Sequence, residues 1–139
     1  MSLEEFHRNF RSDLQTIIAE RVKAGEGAFP SDELVFAEMV MEHVAETGIC
    51  EAPNVCHWSG KVGNAKLRIT GYARSSDETA LDLFVTHYFG TEELNDLRDS
   101  DATATASEGV RFLFRAASGN LEARIEPTHT VRDLVATIR

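Results

Sequence analysis

Two apolar segments separated by a short polar stretch constrain this chain more than any other feature. Lys66-Leu67-Arg68-Ile69-Thr70-Gly71-Tyr72-Ala73 alternates polar and apolar residues, Arg74 to Thr79 is polar, and Ala80-Leu81-Asp82-Leu83-Phe84-Val85-Thr86-His87-Tyr88-Phe89-Gly90 is apolar again. Alternation with period two is the mark of an extended strand, and two such runs joined by turn-forming residues predict a β-hairpin. In Ala65 to Ala73 the alternation predicts a half-buried strand with one packed face and one wet face. Leu81 to Phe89 is apolar on both sides, which predicts a more interior strand covered on each face.

Helical periodicity surrounds this hairpin. Leu3, Phe6, Phe10, Leu14, Ile17 and Ile18 recur at helical spacing and predict a first helix from Ser2 to Lys23, ended by Gly25-Glu26-Gly27. Pro30 and Ser31 open a second helix, with Ser31 as cap, Asp32 and Glu33 in its first turn, and an apolar stripe of Val35, Phe36, Met39, Val40, His43 and Val44. Gly48 is placed to close it. Val55-Cys56-His57-Trp58 predicts a short first strand ended by Ser59-Gly60. After an acidic connection from Glu92 to Asp101, Ala102 to Ser118 predicts a third helix with Val110, Leu113, Phe114 and Ala117 on its packed side, ended by Gly119. Thr130 and Asp133 have capping-box spacing before a short last helix whose stripe is Val131, Leu134, Val135 and Ile138.

The expected order is helix, helix, three antiparallel strands, helix, helix: an α+β fold with helices packed on a three-stranded sheet. At 139 residues, residues 1–139 make one domain able to bury a core without metals or disulfides. A helix running to the last residue with no tail is expected of the N-terminal domain of a longer protein. No apolar run approaches the ~20 residues that a bilayer requires, and the first residues lack an export signal. The expectation is a cytoplasmic protein with no membrane partner.

Composition narrows the chemistry. The net charge of −9, with 14 Lys plus Arg, disfavours a domain that wraps nucleic acid, because such affinity comes from cations neutralising phosphates. Lys61, Lys66, Arg68 and Arg74 are the one basic concentration, and a solvated strand face accounts for them. Cys50 and Cys56 lack zinc-ribbon spacing and are expected to be reduced, partly buried and without function. No Gly-x-Ser-x-Gly or phosphate-cradling loop is present. Cys56 and His57, adjacent in a strand, are expected to point to opposite faces.

The helical start Leu3-Glu4-Glu5-Phe6-His7, the acidic second helix, Cys56-His57-Trp58, Ile69-Thr70-Gly71-Tyr72-Ala73 and Leu81-Asp82-Leu83-Phe84-Val85-Thr86-His87-Tyr88 resemble, in order and spacing, the N-terminal domain of AIPR proteins, the abortive infection phage resistance proteins of bacteria. The resemblance covers most of the chain and implies a scaffold distantly similar to the restriction-endonuclease core. In that core a helix carboxylate and two hairpin carboxylates hold Mg²⁺ beside a lysine, the metal activating water and neutralising charge on the phosphate. This sequence departs from that set. Thr70 and His87 stand where acidic residues are expected from the resemblance, and Phe84 and Phe89 where a lysine would follow Asp82 or His87.

Four residues remain as candidates for a site: Glu42, Thr70, Asp82 and His87. Asp82 is a metal ligand opposite Thr70 or, the preferred reading, a strand residue paired with Arg68 across the sheet. Glu42, with Glu38 or Glu46, supplies a helix carboxylate or is merely solvated, and His87 and His43 are packing histidines. Tyr72, Trp58 and Tyr88 are expected to pack rather than to stack on bases. The resulting expectation is a binding or interaction domain of a phage-defence protein, contacting the rest of a longer chain or another subunit, with no cofactor. The alternatives are a working Mg²⁺ nuclease using Asp82 and a plain homodimerisation module.

Overall fold

The computed structural model describes residues 1–25 and 32–139. Its elements are α1 (Leu3–Lys23), α2 (Asp32–Glu46), β1 (Asn54–Val62), β2 (Ala65–Arg74), β3 (Leu81–Phe84), α3 (Asp99–Ala117) and α4 (Val131–Ile138), with a 3-10 turn at Glu122–Arg124 ahead of α4. The strands form one antiparallel sheet in the order β1-β2-β3. The fold is α+β with helices against a three-stranded sheet, in the order the sequence predicts.

α1 begins with a reciprocal cap: the Glu5 N–H donates to the Ser2 hydroxyl at 3.1 Å and the Ser2 N–H donates to the Glu5 carboxylate at 3.0 Å. Only Leu14 of its stripe is buried, against Val35 and Met39 of α2, with Phe10, Ile17 and Ile18 half-buried around them. Leu3 and Phe6 at the start of the stripe stay exposed. The expected break at Glu26-Gly27, Pro30 and the Ser31 cap lie outside the described residues. α2 ends as expected before Gly48, whose φ is +80°.

β1 is twice as long as its apolar run suggested. It continues through Ser59 and Gly60, which pair with Arg68 and Leu67, and reverses at Gly63-Asn64, where Gly63 carries the positive φ of +62° that a tight hairpin demands. The register slips between Val55 and Trp58, so Cys56 and His57 together oppose Thr70 in a β-bulge. Strict alternation is therefore lost at these two residues.

The two halves of the signature hairpin exchange the roles expected of them. β2 is the central strand, and Ile69 to Ala73 are all buried, Thr70 completely. β3 is an edge strand of four residues, and Val85 to Phe89 leave the ladder. The cause is local: the Thr86 N–H donates to the Thr70 hydroxyl at 3.0 Å, and the Thr86 carbonyl accepts from the Arg68 guanidinium at 2.7 Å. Side chains of β2 thus take the backbone groups that a longer β3 would have paired. The same bonds let Thr70 be buried on the face expected to be wet, since a hydrogen-bonded hydroxyl loses little on burial.

The main core joins the sheet to α3 and α4. Leu67, Ile69 and Tyr72 of β2 and Cys56 of β1 pack with Phe112 and Ala116 of α3, Leu121, Ile125, and Val131, Leu134 and Val135 of α4. α3 starts three residues earlier than predicted, with Asp99 and Asp101 in its first turn, where the helix dipole favours negative charge. Its packed face is not the expected one. Gly109, Phe112 and Ala116 are buried, while Val110, Leu113 and Phe114 are exposed. A Cβ at Gly109 would lie 2.5 Å from the Val85 side chain, so glycine is what lets α3 approach the sheet along that face. The Thr130 capping box does not form: Thr130 is already helical (φ −61°, ψ −26°), and the Val131 N–H donates to His129 Nδ1 at 3.1 Å.

Candidate functional site

The polar junction between the hairpin and the helices centres on Arg68. Its guanidinium donates to Glu108 of α3 at 2.8 Å, to Glu33 of α2 at 3.3 Å and to the Thr86 carbonyl. The Arg68 side chain is 16% exposed, and its partners satisfy the charge from two helices and a loop. Beside it, the Thr70 and Thr86 hydroxyls lie 3.2 Å apart. This cluster is closed on itself, and its chemistry is that of a structural lock.

The four candidates occupy separate places. Asp82 is exposed and opposes Ala73, not Thr70. Three positions separate Ala73 from Thr70, so strand alternation puts Asp82 on the other face. The expected Asp82–Arg68 pair is replaced by the Arg68 bonds to Glu108 and Glu33, because Asp82 opposes Ala73 and so lies on the sheet face opposite Arg68, at the far end of the ladder. Glu42 borders a surface hollow shared with Asp13, Thr16 and Ile17 of α1, together with His43 and Glu46, and Glu38 is ion-paired to Arg21 of α1. His87 is half-buried, with Nδ1 3.0 Å from the Thr105 hydroxyl and its ring against Phe89. The hairpin brings Thr70 next to Thr86, one residue from His87, but brings neither Asp82 nor Glu42 to them.

This donor set does not fit Mg²⁺. A hydroxyl already engaged by Thr86, an imidazole held by Thr105 and two carboxylates on different surfaces offer no shared set of hard oxygen ligands. Among the described residues, no three His, Cys, Asp or Glu side chains stand together in a way that could hold a metal ion.

Burial pushes the Cys56 thiol up to about 12, and its side chain packs in the main core. Cys50 is also raised, by burial first and then by the negative charge of Asp82. Both cysteines are free. Trp58 packs on Phe112 and Tyr88 on Phe36, with ring centroids 5.8 and 4.8 Å apart, and Tyr72 is buried. Among the described residues no helix is long and apolar enough to cross a membrane.

A groove of about 970 Å³ is bounded by α2, β3 with the residues after it, and α3. Val40, Met41 and Val44 form one wall, Ala106, Gly109, Val110 and Leu113 the other, and Leu83, Phe84 and Val85 the floor. Among the described residues its lining contains no Asp, Glu, Lys or Arg. Val110 is 50% exposed, and Leu97, at 47%, stands at the rim. The sequence held one signal for this surface. α3 carries apolar residues on two faces, Phe112 and Ala116 on one and Val110, Leu113 and Phe114 on another, and a helix apolar on more than one side has a second surface to cover.

The family model of the abortive infection phage resistance protein N-terminal domain matches residues 36–139. The chain belongs to that family. Among curated proteins and among solved structures, none matches the chain. As an abortive infection phage resistance protein N-terminal domain it is a domain of a phage-defence protein. The match begins inside α2, so the hairpin, α3, α4 and both long walls of the groove lie within the family region, whereas α1 precedes it.

Proposed function

We propose that this domain serves its phage-defence protein as an interaction module, on a nuclease-like scaffold whose metal constellation has been dispersed. The observation that carries this reading is the apolar groove beside β3, left open by the described residues, with Val110, Leu113 and Leu97 exposed along it. A concave apolar surface of this kind is where another surface can dock. The separation of Asp82 from Thr70, and of Glu42 from both, supports the second half of the reading: residues that would have to converge on one cation are spread over different surfaces. Residues 1–139 act as one unit in a longer polypeptide and contact either its remainder or another subunit.

A phage-challenge assay of the intact defence protein tests this. Val110→Arg places a charge on a half-exposed helix position, so folding survives while the groove is blocked. The expected result is protection reduced to that of cells lacking the protein, with Asp82→Asn retaining full protection. The reverse pattern, with Asp82→Asn inactive and Val110→Arg intact, would overturn the reading in favour of a Mg²⁺ nuclease.

A further inference from the structure

We infer that the groove accepts a single apolar β-strand flanked by lysine or arginine, added to the free edge of β3. This deepens the interaction-module reading and rests on it. The first observation is which atoms β3 shows. Consecutive residues of a strand point to opposite faces, yet Leu83 and Phe84 both line the groove. β3 therefore presents its edge there, not one of its faces. β3 pairs with β2 alone, and among the described residues no strand pairs with its other side. The backbone N–H and C=O groups on that side are a template for strand addition, the mode in which main-chain bonds supply affinity.

The groove walls fix the composition of the added strand. One side meets Val40, Met41 and Val44 of α2, and the other meets Gly109, Val110 and Leu113 of α3. A strand lying between them is covered on both faces and must be apolar on both, as buried strands are. β3 offers four residues of pairing, and at ~3.4 Å per residue the partner segment is short, on the order of 14 Å.

Charge sets the flanks and weighs against a second copy. Three exposed aspartates flank lining residues along the chain: Asp82 stands between Leu81 and Leu83, Asp96 precedes Leu97, and Asp99 lies one helical turn before Ala102. Of the cations on these elements, Arg98 is ion-paired with Asp101 and Arg68 with Glu108 and Glu33. An apolar slot on a chain of net charge −9, with exposed aspartates next to its lining residues in sequence, favours a positively flanked partner. The same field repels another copy of the chain.

The test uses synthetic peptides with a Val/Ile centre and lysines at both ends, titrated into the isotopically labelled protein. Expected results are shifts confined to β3, Val110 and Leu113, and binding about tenfold weaker when the lysines become glutamates or salt is raised. N-methylation of alternate peptide amides should abolish binding, and Val110→Arg should weaken it about tenfold with the circular dichroism spectrum unchanged. Equal binding of lysine- and glutamate-flanked peptides, insensitivity to N-methylation, preference for a basic amphipathic helix, or a dimer that Val110→Arg dissociates would each overturn the strand assignment. If no peptide binds but Val110→Arg still abolishes protection, the strand assignment falls and the interaction module stands. If Val110→Arg leaves protection intact, the module reading itself falls.

Discussion

The molecule has two cores of unequal depth, and the difference shows where its specificity lies. Among the described residues the sheet, α3, α4 and the segment between those helices share eleven buried residues, whereas α1 and α2 meet through three, Leu14, Val35 and Met39, edged by half-buried aromatic rings. The larger core lies inside the region that the family model covers, and α1 lies outside it. The larger core fixes strand order and register and so shapes the groove. α1 is a helix laid on α2 by a thin seam, with the Phe6, Phe10 and Phe36 rings and the Arg21–Glu38 ion pair as its main ties.

The largest expected effect lies at the centre of the deeper core. Phe112 is completely buried between β2 and α4 and touches Trp58, the only tryptophan. Phe112→Ala removes a ring and leaves a cavity, and is expected to cost ~3–5 kcal/mol. Denaturant unfolding followed by Trp58 fluorescence measures it. A loss below about 1 kcal/mol would mean that α3 repacks, for example by rolling Leu113 inward, and that the two faces of this helix are interchangeable.

That possibility is where sequence reading met its limit. Helices, their order and the glycines that end α2 and α3 were legible because periodicity and backbone conformation are local properties. The packed face of α3 was not, since Val110-Leu113-Phe114-Ala117 and Gly109-Phe112-Ala116 are both acceptable stripes one residue apart, and only the approach of Val85 to Gly109 selects between them. The length of β3 was hidden for a similar reason. Leu81 to Phe89 is uniformly strand-prone, but Arg68 and Thr70, sixteen or more residues earlier in the chain, capture the Thr86 backbone and end the ladder. β1 was underestimated because Ser59 and Gly60 have poor strand propensity, which pairing with β2 overrides. Of the candidate site, the residue types were legible and their convergence was not, because register and helix orientation decide it.

A smaller effect distinguishes the two cores directly. Leu14 is the one buried residue of α1, and Leu14→Ala is expected to cost ~2 kcal/mol, at the low end for leucine because its half-exposed neighbours can close over the gap. Hydrogen exchange should then show α1 amides losing protection while those of β2 keep theirs, as expected of separate cooperative units. Equal loss in both would merge the two regions into one unit and remove the distinction drawn from their depth.

The smallest effect belongs to the turn that joins β2 to β3. The Asp77 carboxylate accepts from the Ser75 hydroxyl at 2.7 Å, the Thr79 hydroxyl at 2.7 Å and the Thr79 N–H at 3.2 Å. These donors, Ser75 foremost, favour the charged form and hold the carboxyl well below its usual range, at about 2. A carboxyl lowered by folding contributes stability above its unfolded value of ~4, and that contribution is lost as pH falls toward the folded value. The window is therefore pH ~4 down to about 2, and the group is fully exposed, so the turn loosens without the protein unfolding on this account. Carbon-detected NMR should place the Asp77 midpoint near 2, with the Thr79 amide shifting in step and the α1 amides unaffected. A midpoint at the ordinary carboxylate value would mean that the turn is not held by these bonds, and that the register of β3, on which the groove depends, is set wholly by Arg68 and Thr70.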